Sequence, residues 1–411
     1  MNNILSDVAS YSKTRISIDK INVENYVTTD NLLQNKQGKV NAEKMPKQSS
    51  STVTKFERGD ILIANIRPYL KKIWLAKYTG GSSSDVLTLK VKDKFNSTFI
   101  YYSLFRDVFF EHMMNGSKGT KMPRGDKNQI LDFPVPNFNI SRQKQIAKVL
   151  SDLDAKIEVN NKINVELEVM AKLIYDYWFV QFDFPDKNGK PYKSSGGKMV
   201  YNEELKREIP EEWEVKRLTK IAKTGSGGTP KSTSEDYYHN GKIPWINSGE
   251  VNEPYITNTT NFITELGMKN SSAKLFPKDT LLMAMYGATA GKVSFVDFEA
   301  TTNQAICAII PNKSELSFYL KFNLEMIYDY LINLSSGSAR DNLSQTKIKE
   351  LNIIYPKKNI LKNYHVKVKP MMDLVLKNQK QNQKLAELRD WLLPMLMNGQ
   401  ATVGDRQEIN R

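Results

Sequence analysis

Cysteine is almost missing from this chain: Cys307 is the single one in 411 residues. A lone thiol excludes an internal disulfide framework and any zinc site built from several thiolates, and it suits a reducing, intracellular setting. Histidine is nearly as scarce. His112, His239 and His365 lie far apart and show no ligand spacing. Long apolar runs are lacking too, none approaching the ~18 residues that cross a bilayer. The first residues, Met1-Asn2-Asn3-Ile4-Leu5-Ser6-Asp7, have neither the basic nor the apolar region of a secretory signal. The expectation is a soluble, cytoplasmic protein without membrane association.

What the chain does have is apolar residues for real cores, 40% hydrophobic and 10% aromatic, which excludes wholesale disorder. Its length suits two domains plus connections. Acidic residues fall short of basic ones, 45 Asp+Glu against 59 Lys+Arg, for a net charge of +14. That surplus suits a polyanion such as nucleic acid or an anionic membrane surface.

The strongest feature is an internal repeat at an offset of about 219 residues. Leu5-Ser6-Asp7-Val8 lies over Leu218-Thr219-Lys220-Ile221, and Tyr26-Val27-Thr28-Thr29 over Trp245-Ile246-Asn247-Ser248. Phe56 and Ile61-Leu62-Ile63-Ala64 lie over Phe276 and Leu281-Leu282-Met283-Ala284. Further on, Lys72-Ile73 meets Lys292-Val293, Phe99 meets Phe318, and Leu131-Asp132-Phe133-Pro134 meets Leu351-Asn352-Ile353-Ile354. The second copy carries a longer insertion after its first match.

Each copy has two textures. Residues 1–140 and 205–360 alternate short β-like runs with Gly, Pro, Ser and Asn clusters, as in a mixed domain with much strand. Residues 142–180 and 362–398 are glycine-free and helical. Spacings of four and three place Ile146, Leu150, Leu153, Ile157, Asn160, Asn164, Leu167 and Ile174 on one seam, which also takes Ala171 and Trp178. The repeat places Met371, Val375, Asn378, Asn382, Leu385 and Leu392 on a second seam. Neither helix can hide its stripe alone, so the two are expected to pack on each other. Asparagines within the seam penalise wrong registers, which would leave amides unsatisfied. The seam from Ile146 to Trp178 spans ~48 Å, and Pro394 is expected to end or kink the second helix near Leu393. The resulting division is 1–141 first domain, 142–181 central helix, 182–204 turn-rich linker, 205–361 second domain, 362–400 second helix and 401–411 tail.

Four strings carry a family likeness: Ile209-Pro210-Glu211-Glu212-Trp213-Glu214-Val215-Lys216-Arg217-Leu218, Gly227-Gly228-Thr229-Pro230, Arg142-Gln143-Lys144-Gln145-Ile146-Ala147 and Leu392-Leu393-Pro394-Met395-Leu396-Met397-Asn398-Gly399. With the order domain, long helix, domain, long helix, the whole chain resembles the specificity (S) subunit of Type I restriction-modification systems. The resemblance implies an α+β fold: two globular target recognition domains in pseudo-twofold tandem, separated by two long helices forming an antiparallel coiled coil. Each domain would read one half of a split, asymmetric double-stranded DNA target, the helices acting as spacer. Two DNA-adenine methyltransferase (M) subunits would dock on the helices, with motor-nuclease (R) subunits for cleavage. The chain itself would be no enzyme and hold no cofactor or metal; S-adenosylmethionine, ATP and Mg would sit on its partners. One departure is that the first copy has no tryptophan motif like that around Trp213, so its domain is expected to close differently.

Base edges are read mostly by Arg, Lys, Asn and Gln, phosphates by basic and hydroxyl groups. Loop 115–124 of the first copy offers glycines for close approach with Lys118, Lys121 and Arg124. Its counterpart, 335–344, offers Arg340 and Asn342. A second candidate loop, 65–72, has Arg67, Lys71 and Lys72; its counterpart 286–292 is nearly uncharged apart from Lys292.

A metal-dependent DNA endonuclease using Asp186, Glu214 and Lys216 requires carboxylates that bind magnesium, but one of them sits in the linker and the other at a domain entrance. A scaffold joining two partner-binding domains also fits the helices. Gly287-Ala288-Thr289-Ala290-Gly291-Lys292-Val293 imitates a phosphate-binding loop, with three residues between its glycines where four are needed. Gly225-Ser226-Gly227-Gly228 is too short for a dinucleotide fingerprint. Cys307, within the apolar run Ala305-Ile306-Cys307-Ala308-Ile309, reads as a buried structural thiol. No Asn- or Asp-Pro-Pro-aromatic motif of adenine methyltransferases occurs, so methyl transfer belongs to another chain.

Overall fold

The structure, a computed structural model, describes residues 3–46, 51–334 and 344–404. The chain divides into two compact units, Met1–Ile157 with Lys384–Arg411, and Glu158–Gln383.

In the first unit a short helix, Leu5–Val8, leads into an antiparallel sheet of order Ala9–Tyr11, Val86–Val91, Ile61–Ala64, Ile73–Leu75. A second sheet runs Arg15–Ser17, Thr52–Phe56, Gly80–Ser82, Tyr26–Val27, its last pair parallel. Successive strand side chains point to opposite faces, and Ile61–Ala64 is apolar throughout because both faces are covered. Ile61 and Ile63 join the core built with the helices Ser97–Phe105 and Asp107–Asn115, whereas Leu62 and Ala64 join Val27, Leu32, Phe56 and Trp74.

The second unit repeats this scheme. Helix Leu218–Ile221 precedes a sheet of order Ala222–Ser226, Ile306–Pro311, Leu281–Ala284, Val293–Val296, to which Tyr255–Ile256 adds a fifth, parallel strand. Leu281 and Met283 face one core, Leu282 and Ala284 the other. The repeat extends to strand register. Tyr26 pairs with Gly81 and Val27 with Ser82; Trp245 pairs with Thr301 and Ile246 with Thr302. One difference is that a single helix, Ser317–Leu334, stands where the first unit has two, broken at the extended residue Arg106.

Two long helices complete the units. The first, Ile140–Tyr175, has 36 residues and ends in a π-helical turn, Asp176–Val180; the second, Lys358–Met397, has 40. Pro394 does not end the second helix near Leu393. The helix runs on to Met397 because Leu393, Leu396 and Met397 are buried in the first unit's core with Ile146 and Leu150, and that burial outweighs the backbone bond the proline ring forfeits. In the same unit Asp154 accepts from Arg389 (2.7 Å) and from the Tyr102 hydroxyl (2.6 Å). Leu153, Ile157 and Leu385 are half-buried.

In the second unit the seam is an amide lattice. Asn160 Nδ2 donates to Asn382 Oδ1 and Gln381 Oε1, both at 2.8 Å; Asn378 Nδ2 donates to Asn164 Oδ1 at 2.9 Å and Asn382 Nδ2 to Asn161 Oδ1 at 2.7 Å. Residue numbers rise on one helix as they fall on the other, so the pairing is antiparallel. Val375 is buried, and Leu167, Ile174 and Met371 pack half-buried against the core. Full burial falls on Met372 rather than Met371 here and on Leu393 rather than Leu392 in the first unit, while Val375, Asn378 and Leu396 stay buried.

Residues 182–204 are turn-rich but are no loose linker. Asp183 accepts from the backbone and hydroxyl of Ser194 (2.8 and 2.6 Å), and Met199–Asn202 pairs with Arg207–Pro210. Phe184 stacks between Tyr192 (4.6 Å) and Trp213 (4.8 Å), and Phe182 meets Trp213 edge-on. The first unit, without that tryptophan, closes on aliphatic Leu393, Leu396 and Met397 beside Phe138, over which Arg142 lies at 4.2 Å.

Candidate nucleic-acid interface

Long-range backbone bonds in the first unit join the two candidate loops. Arg67 N donates to Pro123 O (2.8 Å), Gly125 N to Asn65 O (3.1 Å), and Lys118 and Arg124 exchange both backbone bonds at 3.0 Å. Arg67 and Lys71 adopt left-handed backbone, φ 52° and 51°, on either side of the 3-10 turn Pro68–Leu70, which reverses the chain tightly. The result is one surface on which Arg67, Lys118, Lys121 and Arg124 are all exposed. Two carboxylates adjoin it. Asp85 Oδ1 lies 2.7 Å from Arg124 Nη2 and Asp126 Oδ2 lies 3.9 Å from Lys118. The backbone N–H groups of Asn128 and Gln129, with Lys118 adding to them, hold the Asp126 carboxyl below its usual range.

Lys71 and Lys72 do not join that surface. Lys71 shares Asp107 with Lys36, at 3.0 and 2.9 Å. Burial pushes the Asp107 carboxyl up, but these two ammoniums outweigh it and hold it below the usual range. The Lys72 ammonium donates to the Thr29 carbonyl at 2.5 Å, and burial lowers its pKa. Both cations thus have partners within the domain.

In the second unit Lys292 is exposed beside the turn 286–292, while Arg340 and Asn342 lie outside the described residues. Thr289 Oγ1 donates to Ser248 O (2.6 Å), Asn303 Nδ2 to Asn247 Oδ1 (3.3 Å), Gly228 N to Thr302 O (2.9 Å) and Trp245 Nε1 to Gly228 O (3.0 Å). Four segments, 227–230, 245–248, 286–292 and 302–304, therefore close into a surface that is polar rather than basic. The Gly227-Gly228 pair is needed for this approach: a Cβ at Gly227 would lie 1.8 Å from the Thr302 carbonyl oxygen, and one at Gly228 2.0 Å from Ser272 Oγ. Sequence reasoning noticed that pair but missed Trp245, Asn247 and Asn303, whose only signal was their position in the repeat; it also missed Asp85, which had none.

The catalytic look-alikes are committed locally. Asp186 accepts from the backbone of Asn188 and Lys190, closing a turn. Glu214 pairs with Lys216 at 2.6 Å, and the Lys216 ammonium lies 3.9 Å from the centre of the Tyr355 ring. Burial pushes the Cys307 thiol up to about 12. Among the described residues no three His, Cys, Asp or Glu side chains gather as metal ligands, and no helix is long and apolar enough to cross a membrane.

Residues 4–169 and 210–389 each match the family described as Type I restriction modification DNA specificity domain. The chain is 28% identical over 364 residues to the Type I restriction enzyme MjaIX specificity subunit of Methanocaldococcus jannaschii, covering 88% of this chain and 81% of that one. It is 25% identical to the HindI specificity subunit of Haemophilus influenzae, covering 88% and 90% respectively. Its fold is similar to the crystal structure of the Type-I restriction-modification system S subunit from M. genitalium, with a TM-score of 0.56, 17% identity and coverage of 97% and 96%. Matched over most of its length and in both copies, the chain belongs to the Type I restriction-modification DNA specificity family.

Proposed function

We propose that this chain is the non-catalytic DNA-reading subunit of a Type I restriction-modification complex, each unit reading one half of a two-part, asymmetric target. The observation that carries this reading is a strand framework repeated in both units with a different loop at an equivalent place, cationic at Arg67, Lys71 and Lys72 in the first and nearly uncharged at 286–292 in the second. Equal frameworks present loops to DNA in the same way, and unequal loops read different bases.

The paired helices set the spacer: the first is ~54 Å long, and adding or removing turns changes the number of unread base pairs. Two methyltransferase subunits dock on the helices. The first helix and its π-helical turn expose Val159, Ile163, Met170, Leu173 and Tyr177 at spacings of four, seven, three and four, each 38% exposed or more. A stripe of that kind marks an interaction surface. Motor-nuclease subunits complete the assembly, and S-adenosylmethionine, ATP and Mg are held by these partners. The complex works in the cytoplasm. The endonuclease reading has no support, since Asp186, Glu214 and Lys216 are each engaged near their own place in the chain.

The test exchanges residues 1–140 for the corresponding domain of another family member and maps methylated adenines genome-wide. One half-site is expected to change. A change in both would refute the two-reader assignment. Salt titration of DNA binding separates reading from a scaffold role: log K should fall with log salt by roughly 0.9 per phosphate neutralised, whereas a scaffold shows no such slope.

A further inference from the structure

We propose that Arg124 is the base-reading arginine of the first unit, that it recognises a guanine, and that Asp85 is its positioning residue. The inference rests on the DNA-reading assignment above and goes further, because it separates one cation from the two lysines beside it.

The geometry around Arg124 differs from that of its neighbours. Its backbone N–H and C=O both bond Lys118 at 3.0 Å, and it bridges to Ile66 of the other loop. Pro123 and Gly125 on either side are buried, so the Cα cannot wander. At the far end of the side chain Nη2 is held by Asp85 Oδ1 at 2.7 Å, and the Asp85 carbonyl in turn accepts from Asn65 N (2.9 Å), within the same joined surface. The side chain remains 58% exposed. A guanidinium has five donors in a rigid fork. With one end engaged by the carboxylate, the other edge is presented at a fixed angle. That is the preorganisation a bidentate contact needs.

The carboxylate also decides between the two possible DNA partners. A phosphate brought to Arg124 would approach Asp85 as well, and two anions around one guanidinium repel. A guanine edge offers two neutral acceptors, N7 and O6, with no such penalty, and a carboxylate beside it can accept from the cytosine amino group. Lys118 and Lys121 are different: each is a flexible point charge on an exposed turn containing the left-handed Gly119. Such groups fit phosphates, which require charge but little direction.

The experiment maps methylated motifs in cells that carry the full system with Arg124→Lys, Asp85→Asn or Lys121→Ala in this chain. Arg124→Lys keeps the charge and loses the fork. It is expected to leave the second half-site intact and to relax one G·C position of the first by about 5- to 150-fold in discrimination. Asp85→Asn is expected to relax that same position, and Lys121→Ala to lower modification of all sites alike without altering the motif. Arg124→Lys with an unchanged motif and uniformly weaker modification would make Arg124 a phosphate contact and overturn the inference, as would a first half-site with no G·C pair. Should Arg124→Lys abolish modification altogether, Asp85→Asn decides: an unaltered motif there overturns the pairing of roles. A wild-type system with no two-part methylated motif would instead remove the DNA-reading assignment on which the inference stands.

Discussion

The amide lattice of the second unit makes a quantitative prediction. Asn164 and Asn378 are 6% and 7% exposed, and their side chains are joined by a 2.9 Å bond. Asn378→Leu strips Asn164 Oδ1 of its donor where water cannot replace it, and an unsatisfied buried polar group costs about 1–3 kcal/mol. Asn164→Leu strands the Asn378 amide in the same way. The double substitution leaves neither group orphaned and adds apolar surface to a seam already lined by Val375 and Leu167, so it is expected to be nearly neutral or stabilising. In a unit of this size 1 kcal/mol moves the melting temperature by roughly 2–4 °C. Each single variant should therefore melt about 4–8 °C lower for a loss near 2 kcal/mol, with the double variant close to wild type. The assay is calorimetry of the full chain, followed by urea titration to close the double-mutant cycle. Independent sites add within about 0.3–0.5 kcal/mol. Single losses that simply sum in the double variant would refute the idea that the two amides depend on each other.

Two further outcomes test the second unit. Burial pushes the Glu168 carboxyl from 4.5 up to about 7, against the pull of Lys321 and with Glu253 and Glu325 adding to it. The folded chain thus holds this proton more tightly than the unfolded one, and the resulting stability is lost as pH rises from about 4.5 through 7. Glu168→Gln should melt like wild type below pH 4.5 and higher than wild type above pH 7; a difference independent of pH would contradict this. Gly227→Ala, whose Cβ would meet the Thr302 carbonyl oxygen, should cost about 1–3 kcal/mol as an overpacked site does, measured by urea titration. An unchanged midpoint would show that the 227–230 segment moves freely away from Thr302.

The duplicated framework was legible because it is encoded locally and encoded twice. Ile61-Leu62-Ile63-Ala64 and Leu281-Leu282-Met283-Ala284 must each face two cores, so each is apolar at every position. Asn160, Asn164, Asn378 and Asn382 could be placed on a seam by spacing alone, since the period of a helix is a property of its own backbone. Pro394 does not stop the second helix for the complementary reason: the proline is a local signal, and the burial of Leu396 and Met397 that carries the helix on to Met397 is not local. Likewise Phe184 and Tyr192 lie in a stretch whose composition reads as linker until Trp213 stacks on it.

The sequence by itself determined that the chain folds as two related units with paired long helices, because hydrophobic period, repeat offset and turn chemistry all act over a few neighbouring residues. Only the tertiary structure decided which cations face outward together. Arg67, Lys71 and Lys72 look interchangeable along the chain, yet Asp107 pairs with Lys71 and the Thr29 carbonyl takes Lys72. Asp85, without any signal of its own, holds Arg124 in place. A charge is an interaction with whatever lies nearest in space, and for these residues the nearest group lies tens of positions away in the chain.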